Sequence, residues 1–180
     1  MSTLIIIAGL PGVGKSHTAR LLKKSLPKAY YFDSDLFAKN YAKAKGIVLG
    51  ELSSPDQKLA RLKFHRAKID KLRQLLKKYK VAFLDTCFDM MASRKIFYEF
   101  VKDENIELVV LEIKCPSDIV KQRIFENKHE VERMIGTPES RWKTYKEMKA
   151  YWKPIRKSHS VIRSNKPLLP QLANIIKRFK

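Results

Sequence analysis

Short apolar runs alternate along the chain with longer stretches in which apolar residues recur every three or four positions. This is the pattern of βαβ units whose helices cover a parallel sheet. Five runs read as strands: Leu4 to Ala8, Ala29 to Asp33, Val81 to Asp85, Glu107 to Ile113 and Ser160 to Ser164. A helix rich in Leu, Ala and Lys joins the first two, from Lys15 to Leu26, and Pro27 stops it. A short helix from Leu36 follows the second strand, then a loop holding Gly46 and Gly50. Ser54-Pro55-Asp56-Gln57 reads as a capping box with proline in the first turn. It predicts a helix from Pro55 to Lys80, with Leu62, Ile69, Leu72, Leu76 and Tyr79 at helical spacing. Further helices are predicted over Ala92 to Glu104, Pro116 to Asn127, Pro138 to Trp152 and Leu168 to Phe179.

Composition narrows the class. The chain has 180 residues, 44% of them apolar and 31% charged, which suits one globular domain over residues 1–180 and excludes disordered, collagenous and membrane-spanning classes. Two cysteines, Cys87 and Cys115, form no CxxC pair, and four histidines are scattered, so neither a disulfide framework nor a zinc module is expected. A reducing cytoplasm is the predicted location. The apolar run from Leu4 to Val13 is too short for a bilayer and is broken by Gly9, Pro11 and Gly12, so no membrane span or export signal is expected. The 38 Lys and Arg against 18 Asp and Glu give a net charge of +20, a field that draws anions of any kind. The excess is spread over the chain: 18 basic and 7 acidic residues up to position 90, then 20 and 11.

The candidate chemistry begins at Gly9-Leu10-Pro11-Gly12-Val13-Gly14-Lys15-Ser16, which fits GxxxxGK[ST] between a strand and a helix. That setting lets backbone N–H groups curl around phosphates at a helix N-terminus. The nucleotide-binding residues expected are Gly9, Pro11, Gly12, Val13, Gly14, Lys15, Ser16 and His17, with Lys15 reaching the β and γ phosphates and Ser16 binding Mg²⁺. A regulatory GTPase would need NKxD, but Asn165-Lys166-Pro167 is followed by Leu168, and no DxxG follows a strand. Motor ATPases resembling the AAA+ group place a Glu after the strand-end Asp to activate water, whereas here Asp85 is followed by Thr86. Both differences favour transfer to a bound acceptor over hydrolysis.

The second strand ends in Asp33-Ser34-Asp35, at the carboxyl edge where ligands of open α/β sheets collect. One carboxylate there suits a metal shell and the other suits taking the proton of an attacking hydroxyl. The competing reading makes Asp35 the N-cap of a helix starting at Leu36 and Asp33 a surface residue. Asp85, the only charge in its strand, is expected to hold Mg²⁺ with Ser16 and Asp33, or simply to bond Ser16 or a nearby helix. These motifs, in this order, resemble the small P-loop kinases that include phage polynucleotide 5′-kinase, gluconate and shikimate kinases, chloramphenicol phosphotransferase and zeta-toxin-like kinases. The resemblance runs through the P-loop, the DxD, Asp85-Thr86, an Arg-bearing helix after the fourth strand and a final strand and helix.

It implies an α/β, three-layer P-loop NTPase fold with a five-stranded parallel sheet in the order 2-3-1-4-5. It also implies ATP and Mg²⁺ as cofactors, with Asp35 as base or acceptor anchor. A basic lid over residues 123–137 is implied, in which Arg123 stands where the family's lid arginine does. The family's second arginine, one helical turn on, is replaced by Asn127, so Arg133 or Lys128 must substitute; otherwise Arg123, Lys128, His129 and Arg133 are solvated charges facing Glu126, Glu130 and Glu132.

Ten basic residues lie between Pro55 and Lys80, opposed within the helix body only by Asp70. They suit either a solvated face or an anionic acceptor such as nucleic acid. His65 falls in the apolar stripe as an interior histidine, and Trp142, Tyr145, Tyr151 and Trp152 read as core packing rather than as a base platform. The expected function is an ATP- and Mg²⁺-dependent kinase acting on a hydroxyl acceptor. The preferred acceptor is a nucleic acid 5′-hydroxyl end; a small metabolite, nucleoside or sugar nucleotide, or a nucleic-acid-binding ATPase switch, are the alternatives.

Overall fold

A computed structural model of the chain describes residues 1–47, 58–89, 91–126 and 137–180. The strands are β1 (Thr3–Ala8), β2 (Tyr30–Phe32), β3 (Val81–Thr86), β4 (Glu107–Lys114) and β5 (Ser160–Arg163). They form one sheet in the order β2-β3-β1-β4-β5, and every pairing is parallel. β1 lies at the centre with a neighbour on each side, and Leu4 to Ala8 are all 0% exposed. That position explains an apolar run without polar alternation.

The helices are α1 (Lys15–Ser25), α2 (Ser34–Lys45), α3 (Lys58–Leu76), α4 (Met91–Asp103), α5 (Ser117–Glu126), α6 (Pro138–Tyr151) and α7 (Leu168–Phe179). They cover both faces. Leu4, Ile6, Phe32, Leu84 and Val110 pack on Ile69, Leu72 and Leu76 of α3 and on Phe97 and Phe100 of α4. Ile5, Ile7, Phe83, Leu111 and Ile162 pack on Ala19 and Leu22 of α1, Val120 and Ile124 of α5, Tyr145 of α6 and Leu172 of α7. The expected three-layer architecture and strand order are therefore present.

Several element ends shift by one residue from the expectations, as at β1, β3, β4 and α4, and β2 is shortened at both ends to Tyr30–Phe32; three further differences have a visible cause or bear on the site. The helix after β2 starts at Ser34, two residues early, because Asp33 rather than Asp35 is its cap: Asp33 Oδ1 accepts from Asp35 N and Leu36 N at 3.0 Å each. α3 stops at Leu76, and Tyr79 leaves the helical stripe to place its ring 5.0 Å from that of Tyr30. β5 ends one residue early, at Arg163. The capping box at Ser54 to Gln57, Gly50, Asn127 and the lid candidates Lys128, His129 and Arg133 lie outside the described residues. His65 is interior, 6% exposed between the rings of Phe64 and Phe97. Tyr145 is buried, and the half-buried Trp142 stacks on it at 5.0 Å while the half-buried Trp152 packs against the core on the other face of the sheet. No helix among the described residues is long and apolar enough to cross a membrane.

Candidate active site

Of the residues singled out in the sequence, the P-loop, Asp33, Asp35, Asp85 and Arg123 are described, and they lie toward the carboxyl edge of the sheet. Gly14 is the N-cap of α1 in the left-handed conformation, φ 98°, with no side chain capping the first turn. Thr18 N donates to Gly14 O at 3.0 Å, and the amides before it face the loop. No acidic residue of α1 stands in that first turn, while Lys23 and Lys24 sit in the last, so the positive end of the helix dipole faces the loop without a counter-charge from the helix itself. Gly9 is needed for space: a Cβ there would lie 2.7 Å from Ile113 O and 2.9 Å from Val13 Cγ2. Lys15 Nζ donates to Leu10 O at 2.9 Å, which holds its ammonium across the mouth of the loop. Val13 is buried beneath the loop and His17 is exposed on the first turn of α1.

Asp85 stands beside this loop, 4% exposed. Its Oδ2 accepts from Ser16 Oγ at 2.6 Å and from Tyr31 OH at 3.1 Å, and its Oδ1 from Ser34 N at 3.4 Å. One carboxylate thus joins the P-loop, β2 and the start of α2. Burial, with the charge of Asp85 next, pushes the Tyr31 hydroxyl far above its usual range, so it remains a donor. A serine hydroxyl and a carboxylate at 2.6 Å are hard oxygen ligands that fit Mg²⁺, which takes one or two carboxylates beside waters and phosphate oxygens. Among the described residues no group of three or more His, Cys, Asp or Glu is placed to hold a metal ion.

Asp33 caps α2 and Asp35 stands in its first turn. Asp33 has committed Oδ1 to the cap. Asp35 meets solvent at the rim of the cleft but has protein on most sides. Poor solvation raises its pKa above the ordinary 3.8, the charges of Asp85 and Asp33 add to this, and Lys15 and Lys68 oppose it. Lys68 was not singled out in the sequence. It is one of ten basic residues on a helix read as a face, yet it is 3% exposed, with Nζ 4.3 Å from the centre of the Phe64 ring and near enough to act on both Asp35 and Cys87. Only its position on the inner side of α3 distinguishes it, and the apolar residues Phe64, Ile69 and Leu72 around it were the available signal. Burial raises the Cys87 thiol, so it stays protonated at neutral pH.

Arg123 lies on the other flank. Nη1 donates to Ser164 Oγ and Nη2 to Ser164 O, each at 2.9 Å, while Ser164 Oγ donates to Val13 O at 2.5 Å. A Cβ on Gly14 would sit 3.5 Å from Arg123 Nη1. The guanidinium is thus docked against the P-loop through the residue that follows β5.

A family model described as an AAA domain matches residues 5–143. No curated protein matches the sequence. Among solved structures, the APS kinase of Mycobacterium tuberculosis in complex with AMPPNP and APS superposes with TM-score 0.70 at 14% identity, covering 98% of this chain and 96% of that one. A sugar kinase of Janibacter sp. gives 0.67 at 14%, covering 98% and 94%. A gluconokinase of Sinorhizobium meliloti gives 0.64 at 14%, covering 98% and 94%. At these identities the likeness establishes a fold shared with small P-loop kinases.

Proposed function

The chain belongs to the AAA domain family, and from that premise we propose that it is an ATP- and Mg²⁺-dependent phosphotransferase moving a γ-phosphoryl group to the hydroxyl of an anionic acceptor. The observation that carries this reading is the Ser16–Asp85 pair at 2.6 Å at the first turn of the uncapped P-loop helix.

In this reading the amides of Gly12 to Ser16 and the ammonium of Lys15 hold the triphosphate. Ser16 and Asp85 would hold the metal, with Asp33 nearby as the cap of α2, and the metal would supply charge neutralisation on the phosphates. Asp35 accepts the proton of the attacking hydroxyl, a task helped by a pKa lifted toward the working pH. Arg123, with Arg133 as its proposed partner, balances charge on the transferred group. Thr86 follows Asp85 where a water-activating Glu would stand, which supports transfer over hydrolysis.

The inward position of Lys68 supports a small acceptor, one that brings its own phosphate, sulfate or carboxylate between α2 and α3. The structural neighbours act on small molecules by name, sugar, gluconate and APS, which supports the same choice. A second reading, a nucleic acid 5′-hydroxyl end, is favoured by Lys63, Arg66, Lys71, Lys77, Lys78 and Lys80, all exposed on or just beyond α3. The test is transfer from γ-labelled ATP to three pools: neutral nucleosides and sugars, their phosphorylated, sulfated or carboxylated counterparts, and 5′-hydroxyl oligonucleotides. Label on the anionic small molecules, lost in Asp35→Asn, is expected. Label on oligonucleotides, weakening steeply with salt, would establish the second reading. ATP-dependent nucleic-acid binding with no transfer would point to a switch.

A further inference from the structure

Arg94 is the largest of the fully buried side chains, 2% exposed near the start of α4. A buried guanidinium is costly unless its donors are met. Here Nε donates to Phe88 O at 2.7 Å, Nη1 to Pro154 O at 2.9 Å and Nη2 to Lys153 O at 2.5 Å. The rings of Phe88 and Trp152 lie 5.6 and 5.4 Å from its central carbon. It thus grips two segments about sixty residues apart: the loop between β3 and α4, and the connection from α6 to β5.

The first of these segments lies beside the reacting groups. Phe88 is held at φ 54°, a left-handed conformation that a bulky residue adopts only when its surroundings impose it. Its neighbour Cys87 accepts from Gly9 N, the first P-loop residue, at 3.4 Å, and the Cys87 thiol is close enough to Lys15 and Asp35 to feel both charges. Asp89, on the other side, is 2% exposed. A continuous path therefore runs from the carbonyls of residues 153 and 154 through Arg94 to Phe88, Cys87 and the P-loop.

We propose that Arg94 is a positioning residue: it locks Phe88 in its left-handed turn and makes loop 87–89 and connection 153–154 one rigid unit behind the P-loop, holding that loop in register with Lys15 and Asp35. The proposal rests on the phosphotransferase reading for its effect on turnover, but not for the coupling of the two segments. A lysine keeps the charge and cannot span three carbonyls from a planar fork.

The test uses the full chain carrying Arg94→Lys, with Trp152→Leu as a milder variant that leaves the three hydrogen bonds possible. Amide exchange is followed in peptides covering residues 86–91, 152–158 and α1, together with thermal melting and transfer kinetics on the best acceptor. Exchange is expected to quicken in both segments together and not in α1. kcat should fall by about a hundredfold, the scale of a small misplacement of reacting groups, with KM for ATP unchanged and melting still above the assay temperature. Trp152→Leu should show the same pattern more weakly, and it carries the test if Arg94→Lys does not fold. Quickening in only one segment would overturn the coupling. Normal kcat with both segments loosened would leave Arg94 a structural residue only and overturn the positioning role. A wild-type chain that transfers to none of the pools would defeat the phosphotransferase reading, while exchange still decides the coupling.

Discussion

The two sides of the cleft are built by different means. On the proposed donor side, the P-loop between β1 and α1 is shaped by its backbone, with Gly14 supplying a conformation and Gly9 supplying space, and Lys15 adds a side-chain cation. The proposed acceptor side, the start of α2, the inner face of α3 and loop 87–89, is built from side chains: Asp35, Lys68, Phe64 and the Arg94-held turn at Phe88. A backbone cradle is indifferent to side-chain identity, so it suits a ligand common to many enzymes. A side-chain cradle is particular to its chain, and there the proposed phosphotransferase would draw its specificity.

The comparison breaks first at Lys15. Lys15→Met should reduce transfer by about 10⁴-fold, the order expected when a cation on the transferred group is lost, for every acceptor alike; a loss confined to one acceptor class would deny the division. Next in size, Asp35→Asn should lower kcat by about 10³-fold, the range of positioned acid–base groups, with ATP affinity by calorimetry unchanged. An equal loss of ATP binding would place Asp35 on the donor side.

Lys68→Met should raise KM for an anionic acceptor by about thirtyfold, as for a lost charged hydrogen bond, and leave a neutral analogue of that acceptor unaffected. Ser164→Ala should raise KM for ATP by about fivefold, the scale of one hydrogen bond, by releasing Arg123 and Val13 from the donor side. Steady-state kinetics on both substrates separate these two.

The pH dependence sharpens the same contrast. Asp35 must be ionised to take a proton, and its folded pKa lies above 3.8, so activity should fall on acidification at a pH above the ordinary aspartate range. Asp35→Asn should remove that limb. Because the raised pKa favours the protonated form in the folded chain, the stability linked to Asp35 is present at low pH and lost as pH rises through the folded pKa. Asp35→Asn should therefore raise the melting temperature at neutral pH and leave it nearly unchanged in acid, read by thermal melts across pH.

The donor side was legible because its signals are local: a glycine pattern, a preceding apolar strand and a following helix lie within one short stretch of sequence. Asp85 was legible as the lone charge of a buried strand, though Tyr31 as its second donor was not. The start of α2 was misplaced because Asp33 and Asp35 are both good caps, and only the path of the chain out of β2 selects Asp33. Lys68 and Arg94 escaped because a basic residue on a helix reads as solvated. Both are interior, one under Phe64 and the other between Phe88 and Trp152.

The sequence alone determined the alternation of strand and helix, the phosphate loop and the acidic strand ends, since these depend on neighbours within a few residues and on periods of two and 3.6. The order of the strands was reached through likeness to a family. Tertiary structure alone decided which charges turn inward and what they grip. Residue 94 meets residues 88, 153 and 154, and residue 123 meets residue 164, only after the sheet has brought distant segments to one edge. A charge can be buried only where donors and acceptors from such distant segments replace its water.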